Sequence, residues 1–251
     1  GTTEQIIDLT IPSLIVQVDE DSSFTETITS FSENLVNSNL GSSPWDQLGN
    51  DIYGDIKQER LGRDIALTGD GKTLAAINHN RNGGAVIEIY NYDQDTNQWQ
   101  DAPQIISLDI TSGAIDYGES IEITPDGKYL ISGSRNGNNG TINIFKEAAN
   151  GSYENHSQIT SPSGFNRFGW DLDISDDGSV AVIGSTSGKA GIFRYQNNTW
   201  EQIGNDLEGQ TKFGESVSIS PDGSLVAVGA PGHTGVHVSA PYDLKGYVSL
   251  Y

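Results

Sequence analysis

The sequence predicts an all-β fold, a β-propeller of four-stranded antiparallel blades. Three observations predict it. A repeat runs at intervals of roughly fifty residues, a tight Asp-Gly hairpin stands at the same point of each repeat, and apolar residues alternate with small or polar ones on both sides of that hairpin. Four short antiparallel strands in about fifty residues is the size of one propeller blade.

The repeat is carried by four segments: LGRDIALTGDGKTLAAIN from Leu61, YGESIEITPDGKYLISGS from Tyr117, FGWDLDISDDGSVAVIGS from Phe168 and FGESVSISPDGSLVAVGA from Phe213. Asp70-Gly71, Asp126-Gly127, Asp177-Gly178 and Asp222-Gly223 supply the positive φ of a tight turn, and Pro125 and Pro221 pre-set φ in two of them. These aspartates are therefore read as turn chemistry rather than as catalytic acids. Val217 and Ile219, then Leu225 and Ala227, show the period-two pattern of half-buried strands. Third strands follow at Ala85 (AVIEIY), Thr141 (TINIF), Ala190 (AGIFRY) and Gly246 (GYVSLY). Fourth strands are marked by an aromatic residue at Trp45, Trp99, Tyr153 and Trp200, expected to pack between neighbouring blades.

The strand from Gly246 is a third strand, which leaves its blade without an outer partner. Thr3-Glu4-Gln5-Ile6 resembles Trp200-Glu201-Gln202-Ile203, so residues 1–10 are expected to supply the closing outer strand and remove the exposed edge. Residues 11–44 are long enough for three strands but lack the Asp-Gly hairpin; they are read as a degenerate blade, or as the remnant of a cadherin-like domain. With the four clear repeats of 45–251, the first reading gives a single five-bladed propeller over 1–251.

Phe213-Gly214 and Val228-Gly229-Ala230-Pro231 resemble the integrin-type FG-GAP propeller repeats. The resemblance covers roughly Trp45 to Tyr251 and implies an extracellular or cell-surface protein. Only the last unit carries both phrases; the others drift to Leu61-Gly62 or Tyr117-Gly118. The family's calcium loops lie in the hairpins that are reduced here to Pro-Asp-Gly and its variants. One segment elsewhere keeps a calcium-loop spacing: Asp93, Asp95, Asn97 and Asp101, with the Trp99 carbonyl as a further oxygen, because a hard cation wants several oxygen ligands. Gln98 stands where such a loop takes glycine, and a polar hairpin is the alternative.

The 34 acidic and 13 basic residues give a net charge of −21, which repels phosphate backbones and suits cations or basic partners. Nucleic acid is excluded as a partner, and no apolar run is long enough to cross a bilayer. Without cysteine there is neither disulfide nor thiolate metal site. His79, His156, His233 and His237 are scattered; His233 and His237 share a loop with Asp243, but no HExxH, Gly-x-Ser-x-Gly or phosphate loop occurs. Asp64, Glu119, Asp171 and Glu215 follow the Phe-Gly or its equivalent and are expected to ring the tunnel mouth, where they would attract a cation or basic peptide, or else cap strand ends. Asn139, Asn150, Asn155 and Asn197 begin Asn-x-Ser/Thr sequons.

The function expected is a secreted, non-enzymatic binding or scaffolding module that recognises a protein or glycan, alongside neighbouring domains of a longer chain. Two alternatives stand beside it: a lectin with repeated sugar pockets between blades, and a polysaccharide hydrolase or lyase using the tunnel-mouth acids, Glu215 foremost.

Overall fold

Four Ser/Thr-x-Asp-Gly turns organise the chain. In the first, Thr68 Oγ1 donates to Asp70 Oδ1 at 2.8 Å, the same oxygen accepts from the Lys72 amide at 3.0 Å, and Gly71 N–H closes on Thr68 O at 2.9 Å. Thr124–Asp126, Ser175–Asp177 and Ser220–Asp222 repeat the hydroxyl-to-carboxylate bond at 2.7, 2.7 and 2.6 Å. Gly71, Gly127, Gly178 and Gly223 take φ of 70, 74, 71 and 68°, the left-handed region that a Cβ penalises. Each turn is thus specified by side chains within five residues, before any tertiary contact is made.

The computed structural model describes residues 46–55, 57, 59–81, 84–108, 120–136, 139–210, 212–231 and 246–251, and no helix occurs among them. The expected closing strand at 1–10 and degenerate blade at 11–44 lie outside the described residues. Four antiparallel sheets follow one another. The first holds β1 (Leu61–Leu67), β2 (Thr73–Arg81) and β3 (Gly84–Asp93), with an outer strand in two pieces, β4 (Gln98–Trp99) and β5 (Gln104–Ser107). The second runs β6 (Ile121–Ile123), β7 (Tyr129–Asn136), β8 (Asn139–Glu147) and β9 (Tyr153–Thr160). The third is β10 (Leu172–Ile174), β11 (Val180–Gly184) and β12 (Lys189–Gln196), again with a divided outer strand, β13 (Thr199–Gln202) and β14 (Leu207–Glu208). The fourth has three strands: β15 (Ser216–Ile219), β16 (Val226–Ala230) and β17 (Tyr247–Leu250).

The fourth strands marked by Trp99 and Trp200 are each divided into two pieces. Between β4 and β5 stand Gln100, Asp101, Ala102 and Pro103, and a proline lacks the N–H a ladder needs. Both pieces still pair with β3, through Tyr92↔Trp99 and Ile87↔Ile106.

The sheets stack through three apolar layers, one between each successive pair. Ile77, Ile87 and Ile89 of the first sheet meet Ile121, Ile123 and Leu130 of the second. Ile131, Ile142 and Ile144 meet Phe168, Leu172 and Ile183, and Val180 and Val182 meet Phe213, Val217 and Val228. The inner strands β1, β6, β10 and β15 are neighbours in that order, an arrangement like that of consecutive propeller blades. The Phe-Gly pairs sit at these seams. Phe168 and Phe213 are fully buried, while Gly169 and Gly214, at φ of 86 and 88°, lie against the backbone of the preceding sheet, where a Cβ would strike Gly133 and Lys189 respectively.

Trp200 packs between the second and third sheets, its indole N–H donating to Ser157 Oγ at 3.0 Å. Gln104 likewise bridges to the backbone of Tyr153, donating to its carbonyl and accepting from its amide, both at 2.9 Å. Tyr153 in turn hands its phenol proton to the Gly127 carbonyl.

Candidate functional site

Three of the four expected tunnel-mouth residues, Asp64, Asp171 and Glu215, are placed by the structure. Counted back from the turn glycine, Asp64 and Asp171 occupy one position, where the other repeats have Ser120 and Ser216; Glu119 and Glu215 stand one residue earlier. The four acids thus fall at two positions of the repeat rather than one. Glu119 lies outside the described residues, and Glu215 faces Lys212 at 3.6 Å. Asp64 and Asp171 are staples between sheets. Asp64 Oδ2 accepts from the Ile121 amide at 2.9 Å, and Asp171 Oδ2 from the Val217 amide at 2.7 Å. Asp173, two residues on, accepts from Ile219 N–H at 2.8 Å and Ser218 Oγ at 2.9 Å.

Burial raises the pKa of Asp64 and Asp171 despite these bonds. Glu122, on β6 between them, is pushed up to about 7, first by burial and then by the charges of Asp173, Asp64 and Asp171. Sequence reading missed Glu122 and Asp173, which belong to the same inner-strand row two residues further along. Among the described residues, no three His, Asp or Glu side chains are grouped to hold a metal ion.

The calcium reading does not fit. Asp93 Oδ1 accepts from the amides of Asp95 at 2.9 Å and Thr96 at 3.4 Å, and these bonds lower its pKa. It ties a hairpin loop in which Asn97 takes φ of 55°. Asp93 pairs with Gln98, whereas Asp101 lies beyond the end of β4, in the break before β5. Calcium needs its oxygens within about 2.3–2.6 Å. Asp93 and Asp101 thus serve different surroundings.

His156 sits in an aromatic row between the second and third sheets, 5.7 Å from Tyr129 and 5.3 Å from Tyr195, and burial there lowers its pKa. His79 is buried in β2; His233, His237 and Asp243 lie outside the described residues.

The side chains that do converge lie at the outer part of the first sheet. A cavity of about 370 Å³ opens between residues 50–55 and the β4–β5 strand. Three carboxylates, Asp51, Asp55 and Asp101, line it together with the rings of Tyr53, Tyr90 and Trp99. Trp99 is held from two sides: its indole N–H donates to Leu48 O at 3.1 Å, and Tyr92 meets it edge to face at 5.3 Å. Tyr53 is 77% exposed, and its hydroxyl donates to Asp51 Oδ2 at 2.9 Å. Gln98, also in the wall, buries its Oε1 with no hydrogen-bond partner among the described residues. Asp101 and Trp99 of this group stood out in the sequence, Asp101 as a metal ligand and Trp99 as a fourth-strand aromatic. Residues 48–55 show no periodicity that would have marked them.

No family model and no curated protein matches the sequence. Solved structures with similar chain traces include a provisionally assigned 6-phosphogluconolactonase from Bacteroides fragilis, at 18% identity and TM-score 0.48 over 61% of this chain and 40% of that one. They also include the β-propeller domain of Cps50 (Swd1) from Myceliophthora thermophila, at 13% identity and TM-score 0.49 over 87% and 55%, and hydrazine synthase from Kuenenia stuttgartiensis, at 15% identity and TM-score 0.47 over 74% and 57%. The matched part spans about two fifths to three fifths of those chains.

Proposed function

We propose that this chain is an extracellular, non-catalytic binding module of the FG-GAP-like propeller type, recognising a protein or glycan partner through the pocket beside Trp99. One observation carries the reading: that pocket gathers the rings of Tyr53, Tyr90 and Trp99 and three carboxylates around one cavity of about 370 Å³. The inner-strand acids accept from neighbouring amides.

The same reading includes a five-bladed ring in which Thr3–Leu9 supply the outer strand of the last sheet. Its support is sequence likeness: Gln5-Ile6-Ile7-Asp8-Leu9 parallels Gln104-Ile105-Ile106-Ser107-Leu108 of the first sheet's outer edge.

The test is a paired screen of the labelled protein on a glycan array and a peptide array, each with wild type, Tyr53→Ala and Asp101→Asn. Both side chains are exposed, so both variants should keep the wild-type melting temperature. Ligands whose signal falls in both variants support the reading. Blank arrays, or signals that neither substitution changes, sink it.

A further inference from the structure

The seam between the second and third sheets lacks a bond that its neighbours have. Asp64 and Asp171 tie the first sheet to the second and the third to the fourth, through the Ile121 and Val217 amides. The middle seam has Ser120 at that position, whose hydroxyl reaches the Gly169 carbonyl at 3.4 Å. A row of rings fills its outer part. Tyr129, His156, Tyr195 and Trp200 follow one another at centroid distances of 5.7, 5.3 and 5.4 Å. His156 enters the row because β9 carries a bulge: Asn155 pairs with Phe145 and Ser157 with Ile144, which leaves His156 as the extra residue between them. Its Nε2 is out of solvent and has no hydrogen-bond partner among the described residues.

We infer that this seam is a pH-sensitive joint, which closes on neutral His156 and loosens when mild acid puts a proton on the ring. In a neutral imidazole Nε2 can stay bare, whereas in the imidazolium both nitrogens are donors, and Nε2–H would be buried with nothing to accept it. The charge would also be badly placed. Lys128 and Lys146 hold their ammonium groups 5.5 and 5.8 Å from the centre of the Tyr129 ring. That ring thus already faces two cations, and a third beside it is repelled. Burial first, and Lys146 second, lower the pKa of His156.

The acids around the row are exposed, engaged or turned away. Glu154, opposite Lys146 in the ladder of β8 and β9, is exposed. Asp177, in the turn whose Gly178 abuts Tyr129, accepts from Ser175 Oγ and from the Ser179 amide and hydroxyl. Glu201 pairs with Arg194, and this pair alternates with Tyr195 and Trp200, so both charges lie on the other face of the third sheet. Because the folded value of His156 lies below the ordinary 6.5, the stability that the neutral ring gives is full above pH ~6.5 and is lost as pH falls through the folded value. Glu122 titrates near the same range with the opposite sign, stabilising when protonated, so variants must be compared at each pH.

Each seam has a hydrogen that reports on it in hydrogen exchange followed by NMR. The Trp200 indole N–H, given to Ser157, reads the middle seam, and the Ile121 and Val217 amides read the other two. Exchange is measured at pH ~7.5 and pH ~5.5, corrected for its intrinsic pH dependence, in wild type and in His156→Phe, which keeps a ring in the row without a titrating nitrogen. The His156 ring resonances give its midpoint in wild type. On acidification wild type should lose protection at Trp200 by about tenfold, with Ile121 and Val217 unchanged, and His156→Phe should lose none at any of the three. A wild-type midpoint at or above 6.5 overturns the inference, since the seam would then favour the charged ring. So does an equal loss at Trp200 in wild type and variant, a loss of the same size at all three hydrogens, or no loss in wild type. Should His156→Phe fail to fold, the wild-type midpoint and the pattern over the three seams decide.

Discussion

At the scale of single residues, burial raises the pKa of Asp64, Asp171 and Glu122 alike, and each aspartate accepts an amide of the next sheet in return. Asp171 loses solvent but accepts the Val217 amide at 2.7 Å. Asp171→Ala leaves that N–H without its acceptor and should cost about 1–3 kcal/mol in urea unfolding, whereas Asp171→Asn keeps an oxygen in place and should cost less. Equal loss in the two variants would show that the staple contributes nothing. Glu122 carries the largest of these shifts. Its folded pKa of about 7 lies above the ordinary value of 4.5, so the folded state holds its proton while the unfolded chain has lost it. Stability from this group is full below pH ~4.5, falls as pH rises, and is lost above pH ~7. Glu122→Gln removes the dependence. It should therefore stabilise the protein at pH ~8 by about 1 kcal/mol, allowing for solvent screening, and have no such benefit near pH ~4.5. Thermal melts across that range decide it. The exposed turn acids run the other way. Hydrogen bonds from Ser220 and Ser224 hold Asp222 down at about 2, so its contribution is present above the unfolded value near 4 and lost as pH falls towards 2.

At the scale of elements, the turns were legible in the sequence because their bonds are local. Thr68 to Asp70 and Ser220 to Asp222 are two residues apart, and the pattern recurs without help from the rest of the chain. The tunnel-mouth set joined two positions of the repeat: counted back from the turn glycine, Asp64 matches Asp171, and Glu119 matches Glu215. Trp99 and Asp101 were marked in the sequence but the pocket they line was not, since its far wall comes from residues 50–55, which have no repeat to announce them. The Phe-Gly phrase was visible as a motif, and the packing now explains it. Gly214 has positive φ and touches the backbone of Lys189, while its counterpart Gly62, at φ of 81°, has nothing within 4 Å of a built Cβ. Gly62→Ala should therefore cost only the left-handed backbone penalty, about 1–2 kcal/mol. Gly214→Ala adds a clash between sheets and should cost about 3 kcal/mol or more. Chemical denaturation of the two variants separates the terms, and similar losses would mean that close approach is not what the motif secures.

At the scale of the molecule, the seams alternate. The first and second sheets share the Asp64 staple and a Gly69 N–H to Pro125 carbonyl bond at 2.9 Å; the third and fourth repeat both, with Asp171 and with Asp176 N–H to Pro221 carbonyl at 2.9 Å. Between the second and third, Ser120 replaces the aspartate, and Pro125, standing where Gly69 and Asp176 donate, has no N–H to give. The two ends of the series carry apolar side chains that are covered elsewhere. Ile65 and Leu67 are 60% and 53% exposed, while Ile121 and Ile123 at the same positions are 1% and 5% exposed. At the other end Leu225, Val248 and Leu250 are exposed by 50%, 68% and 67%. Apolar surface of that kind is normally covered in a monomer. The proposed closing strand makes a definite demand here. In the first sheet, Ile106 and Leu108 are 9% and 3% exposed, so by the matching register Ile7 and Leu9 should be buried and should shield the β17 edge. Removing residues 1–10 would then lower the melting temperature and increase binding of a hydrophobic dye, and Ile7→Asp alone should do most of both. A shortened chain that melts at the wild-type temperature with no new dye binding takes that role away from Thr3–Leu9, and leaves Val248 and Leu250 as surface that some other part of a longer chain, or another copy, must cover.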